Sequence, residues 1–123
     1  MKANTPLPIA QLQAEAWATA EAKGFHEDIR TLNPRQAALI RLALIHTEVS
    51  EATQEVKRHG VDSAVIRKRI AHELADVLIR CGDLAEMLGL NLEEACRTVL
   101  ATNRARPYKY GTPEQDEKGE PAL

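Results

Sequence analysis

Apolar residues recur at helical spacing in successive stretches of this chain. Ile9, Leu12, Ala16 and Ala20 mark a first face. Leu42, Ile45, Val49, Ala52 and Val56 make a second stripe, and Ile70, Leu74, Val77, Cys81, Leu84 and Leu88 a third. Steps of three and four residues return side chains to one side of a helix, so each stretch predicts an amphipathic helix and none a strand. Local punctuation sets the boundaries. Pro8 suits a first turn, and Gly24 a stop. Asn33-Pro34-Arg35-Gln36 supplies an N-cap, a first-turn proline and a glutamine that reaches back, opening a helix to about His59. Asp62 or Ser63, after Gly60, can cap a third helix that Gly89 ends near Leu88. Asn91-Leu92-Glu93-Glu94 repeats the capping logic for a fourth helix to about Arg104. The prediction is an all-α chain of four helices.

Acidic residues refine that picture. Glu48 and Glu51 stand three apart on the second helix, and Glu73 and Asp76 three apart on the third. Each pair points two carboxylates in one direction. If the helices are antiparallel neighbours, four carboxylates converge on a small volume at the margin of the core. Such a cluster is unfavourable unless a cation neutralises it, and an all-oxygen donor set favours a hard ion such as Mg2+, with Mn2+ as a substitute. The competing reading is two solvated acidic faces, the usual fate of charge on amphipathic helices. That reading accounts for scattered Glu/Lys pairs better than for matched acidic doublets.

Composition narrows the class. A chain of 123 residues suits one domain, and with 3% aromatic residues its core must be packed mainly from Ala, Leu, Ile and Val. A net charge of −2 argues against a nucleic-acid surface, which draws its affinity from phosphate neutralisation. Apolar runs are too short to cross a membrane, and no signal-peptide pattern opens the chain, so a cytoplasmic protein is expected. Cys81 and Cys96 fall at apolar helix positions and read as small core residues rather than a disulfide. After Pro107 the chain turns Pro-, Gly- and charge-rich. One domain over residues 1–111 is expected, with residues 112–123 as a disordered tail.

Three blocks in order carry a family resemblance. They are Leu44-Ile45-His46-Thr47-Glu48-Val49-Ser50-Glu51-Ala52, then His72-Glu73-Leu74-Ala75-Asp76-Val77-Leu78-Ile79, then Asn103-Arg104-Ala105-Arg106-Pro107-Tyr108-Lys109-Tyr110-Gly111. Glu-x-x-Glu followed by Glu-x-x-Asp resembles the all-α nucleoside triphosphate pyrophosphatases, specifically the MazG-like branch. The resemblance spans residues 35–111. It implies a four-helix MazG-like bundle completed by oligomerisation, as a homodimer or homotetramer joined through the long helices.

The chemistry so implied is hydrolysis of a nucleoside triphosphate to the monophosphate and pyrophosphate, a nucleotide-pool house-cleaning reaction. Glu48, Glu51, Glu73 and Asp76 become the metal ligands, and Glu51 the residue that also handles the attacking water. Asn103, Arg106 and Lys109 become phosphate contacts, one hydrogen-bonding, one a bidentate fork and one a point charge. A basic helix end favoured by its dipole is the alternative for that segment. Trp17, the sole tryptophan, can stack on a nucleobase or anchor the core. Arg80 can serve the phosphates or pair with Asp83. Phosphoribosyl-ATP pyrophosphohydrolase and a non-catalytic helical oligomerisation module remain rivals. A di-iron bundle is poor, because no Glu here is followed three residues later by His.

Overall fold

The computed structural model describes residues 5–107, and every regular element within them is helical. Helix α1 spans Ile9–Ala22, α2 spans Pro34–His59, α3 spans Ala64–Met87 and α4 spans Leu92–Ala105. The all-α expectation holds. A short 3-10 helix at Glu27–Ile29, which the sequence pattern did not signal, lies between α1 and α2.

The expected caps form. The Gln36 backbone N–H donates to Asn33 Oδ1, and the Asn33 N–H donates back to Gln36 Oε1, a reciprocal box that opens α2. Ser63, rather than Asp62, accepts from the Ile66 N–H to start α3. Asn91 accepts from the Glu94 N–H to start α4. Pro8 sits at the N-cap of α1, one position before the first turn. Gly24 adopts φ +80°, a left-handed conformation that few other residues tolerate, and there the Phe25 N–H closes back on the Ala20 carbonyl.

The chain divides into two compact units, one ending at Leu90 and the other beginning at Asn91. In the first unit α3 is central, packing on both α1 and α2. Its approach to α1 depends on Gly82, where a Cβ would come within 3.2 Å of the Gln13 Cα and 3.4 Å of the Ala16 Cβ. The buried apolar residues among those described are small for the most part: Ala16, Ile29, Ala37 and Ala85. In the second unit α4 exposes Val99 and Leu100 and carries the half-buried Cys96.

The apolar stripes of α2 and α3 are less covered than their pattern predicts. Leu42, Val49, Val56, Leu74 and Leu88 all remain exposed. Helix length accounts for part of this. At roughly 1.5 Å per residue, the 14 residues of α1 cover about 21 Å, whereas the 26 residues of α2 run about 39 Å. A short helix cannot cover the full apolar length of two long ones. Cys81 and Cys96 are both free and half-buried, and burial pushes the Cys81 thiol above its ordinary value.

Candidate functional site

The paired acids of α2 and α3 come together. Glu48, Glu73 and Asp76 each present a carboxylate oxygen, and the three oxygens lie within 4.8 Å of one another. Glu51, one turn beyond Glu48, joins them. Hydrogen bonding with Glu48, then repulsion from it and hydrogen bonding with Glu73, hold the Glu51 carboxyl above its ordinary value. The four differ in shelter: Glu48 is buried, Glu73 half-buried, and Glu51 and Asp76 exposed. Glu48 therefore lies deeper than a margin position would put it.

This arrangement suits a cation. Glu73 Oε2 is buried without a hydrogen-bond partner, an arrangement that costs free energy unless something else satisfies the oxygen. Like-charged carboxylates at this spacing repel, as the raised Glu51 carboxyl records. A metal ion bound among these oxygens would relieve both conditions, and Glu48, Glu73 and Asp76 are the residues that could hold it.

Two hollows flank the cluster. One, of about 540 Å³, is walled by Phe25, Ile40, Leu44 and Ile79, with Glu48, Asp76 and Arg80 along one side. Arg80 crosses from α3 to α2, its Nε–H donating to Glu48 Oε1 at 2.6 Å. It does not pair with Asp83, the partner that spacing along α3 suggested. The other hollow, of about 370 Å³, is lined by Glu51, Glu55, Arg58, His59 and Glu73.

Asp83 is engaged elsewhere, in a buried polar cluster that the sequence did not announce. His26 is 2% exposed; its Nε2 lies 2.7 Å from Asp83 Oδ1 and its Nδ1 2.6 Å from Glu21 Oε2. The hydrogen bond from His26, more than the nearby Arg30, holds the Glu21 carboxyl below its ordinary value. Arg41, also buried, donates from Nη2 to the Phe25 carbonyl at 2.8 Å and has its Nε 3.7 Å from Asp83 Oδ2. No short-range motif could have revealed this group, because His26 and Asp83 are 57 positions apart.

The other expected residues are placed as follows. Trp17 stacks against His26, ring centroids 3.9 Å apart, and lines a separate hollow of about 530 Å³ with Glu21, Arg30 and Leu32. Asn103 and Arg106 belong to the second unit. There the Arg106 N–H donates to the Asn103 carbonyl, and Arg106 is the C-cap of α4. Lys109 lies outside the described residues.

Comparison with known proteins gives a relative of high coverage. No family model matches the chain, and no solved structure matches it. The chain is 34% identical over 105 residues to a dATP/dGTP diphosphohydrolase of Cyanophage S-2L, an alignment covering 84% of this chain and 80% of the relative. Residue identity of that level over most of both proteins carries a shared ancestry, and the chain belongs to the family of this cyanophage diphosphohydrolase.

Proposed function

We propose that this protein is a MazG-like, Mg2+-dependent pyrophosphohydrolase that cleaves a deoxynucleoside triphosphate to the monophosphate and pyrophosphate. The observation that carries the reading is the convergence of Glu48, Glu73 and Asp76 beside a cleft of about 540 Å³. That volume is within the usual range for a small-molecule site. The name of the cyanophage relative supplies the substrate class, purine deoxynucleoside triphosphates.

In this reading Glu48, Glu73 and Asp76 hold the cation and Glu51 supports them. When bound, the cation supplies neutralisation of triphosphate charge and a more acidic bound water. Glu51, beside the residues that hold the cation, orients the water that attacks the α-phosphorus and takes its proton. The leaving group is pyrophosphate. Asn103, Arg106 and Lys109 serve as phosphate contacts on the strength of their residue types and order. Trp17 is proposed for base stacking on its residue type alone, since it packs on His26 in a separate hollow. The physiological role is removal of unwanted triphosphates from the cytoplasmic nucleotide pool.

The functional particle is a homodimer or homotetramer. Leu74 and Leu78, 54% and 58% exposed one turn apart on α3, and Leu42 and Val49 on α2 give an apolar surface that a second copy would cover.

The test is a panel of nucleoside triphosphates incubated with Mg2+ in oxygen-18 water. The expected products are a labelled nucleoside monophosphate and unlabelled pyrophosphate, with purine deoxynucleotides consumed fastest. Stepwise loss of single phosphates, or label confined to pyrophosphate, would sink the reaction class.

A further inference from the structure

We infer that Arg80 is a transferable phosphate ligand: it neutralises Glu48 in the metal-free protein and passes to the triphosphate when a divalent cation takes the Glu48 carboxylate. The inference rests on the proposed function and adds a residue that neither acid doublet contains.

Three observations carry it. The Arg80 Nε–H and Glu48 Oε1 are 2.6 Å apart, a charge-assisted hydrogen bond at full strength. The partners differ in burial, Glu48 keeping 10% of its side chain exposed and Arg80 37%. Glu48 is therefore the member that needs a counter-charge, and Arg80 the one able to move. Arg80 also lines the same cleft as Glu48 and Asp76, so its guanidinium is already on the wall that a bound triphosphate would meet. Asp83, one turn further along α3, is already held by His26 at Oδ1 and has the Arg41 guanidinium near Oδ2.

The chemistry follows from competition for one carboxylate. A guanidinium on Glu48 Oε1 and a divalent cation on the same carboxylate repel one another and draw on the same negative charge, so each weakens the other's hold. Cation binding at Glu48, Glu73 and Asp76 thus loosens Arg80. Once loosened, Arg80 presents up to five N–H donors in a planar fork that matches phosphate oxygens. No bond is made or broken covalently in this exchange. Its consequence is a pair of effects with opposite signs: Arg80 opposes the cation when nucleotide is absent and favours the nucleotide when the cation is present.

That opposition gives the test. Mn2+ binding to the full chain without nucleotide is followed by electron paramagnetic resonance for wild type, Arg80→Gln and Arg80→Lys. The KM for dATP and dGTP is measured with saturating Mg2+. For Arg80→Gln, Mn2+ should bind at least threefold tighter while KM rises at least tenfold. For Arg80→Lys, Mn2+ affinity should stay near wild type, because a cation still faces Glu48, while KM rises because the planar fork is lost. A purely structural Arg80 that only holds Glu48 in position would instead leave Mn2+ binding weaker in Arg80→Gln. Weaker or unchanged Mn2+ binding, or a KM within twofold of wild type, overturns the proposal even if the wild type is an active pyrophosphohydrolase. A wild type that binds Mn2+ yet turns over no nucleotide overturns the proposed function, and the phosphate role of Arg80 with it.

Discussion

His26 Nε2 and Asp83 Oδ1 lie 2.7 Å apart, and their contact fastens the turn after α1 to the last third of α3. Both side chains are nearly sealed from solvent. Removing Asp83 takes a carboxylate away from His26 Nε2 and from beside Arg41, while Glu21 still holds His26 Nδ1 and the Phe25 carbonyl still accepts from Arg41. Asp83→Ala should therefore cost about 1–3 kcal/mol of unfolding free energy. Urea denaturation of the metal-free protein measures this. A loss below about 1 kcal/mol would show that water replaces the missing carboxylate at little cost.

Asp76 and Glu48 should respond differently to neutralisation. Asp76→Asn and Glu48→Gln each remove a charged candidate ligand and should each lower turnover at least a hundredfold. Their metal-free melting temperatures should diverge. Asp76 is exposed, so its neutralisation relieves repulsion and leaves stability equal or higher. Glu48 is buried against Arg80, so its neutralisation removes a charge-assisted bond and lowers stability. Full activity in either variant would take the carboxylate cluster out of the mechanism.

Glu51 makes the metal-free protein pH-sensitive in a predictable direction. Its carboxyl is raised in the folded state, so the folded chain binds its proton more readily than the unfolded chain does. Stability contributed at this residue falls as pH rises from the ordinary carboxylate range through the raised folded value, and is regained as pH falls. A thermal melt series without metal should show this contribution as the difference between wild type and Glu51→Gln, which lacks the titration. Saturating Mg2+ should shrink the difference. A wild type and variant with parallel profiles would contradict the crowding at Glu51.

Leu74 and Leu78 test the proposed assembly. Leu74→Glu with Leu78→Glu should convert the oligomer to smaller species in size-exclusion chromatography with light scattering. Neither side chain is buried within its own chain, so the helices should persist by circular dichroism. An unchanged molar mass would move the contact to another face.

The sequence was most legible where structure is decided locally. Asn33 with Gln36, Ser63 and Asn91 announce helix starts because a cap needs residues only three positions away. Glu48, Glu73 and Asp76 were legible for a related reason: paired acids three apart define a face before any tertiary contact is known. The His26–Asp83 contact had no such signal, because it forms only after α1 turns at Gly24 and meets α3. Arg80 had a plausible partner three residues away in Asp83, yet it pairs across the helix interface with Glu48. Leu42, Val49 and Leu74 match a core pattern and remain exposed, since periodicity identifies an apolar face without identifying what covers it.

The position of Gly82 on α3 fixes the spacing of this helix as well as its packing. Gly82 and Asp83 face α1 and the His26 turn, while Glu73 and Asp76 serve the acid cluster with α2. One continuous helix joins the two sets. Inserting a single residue between Asp76 and Gly82 would turn one set against the other by about 100° and shift it by about 1.5 Å. Either the glycine contact with Gln13 or the carboxylate convergence would then be lost. In descendants of this chain, length changes should thus accumulate in the turns and ends, while the interval from Glu73 to Asp83 keeps its residue count even where its side chains vary.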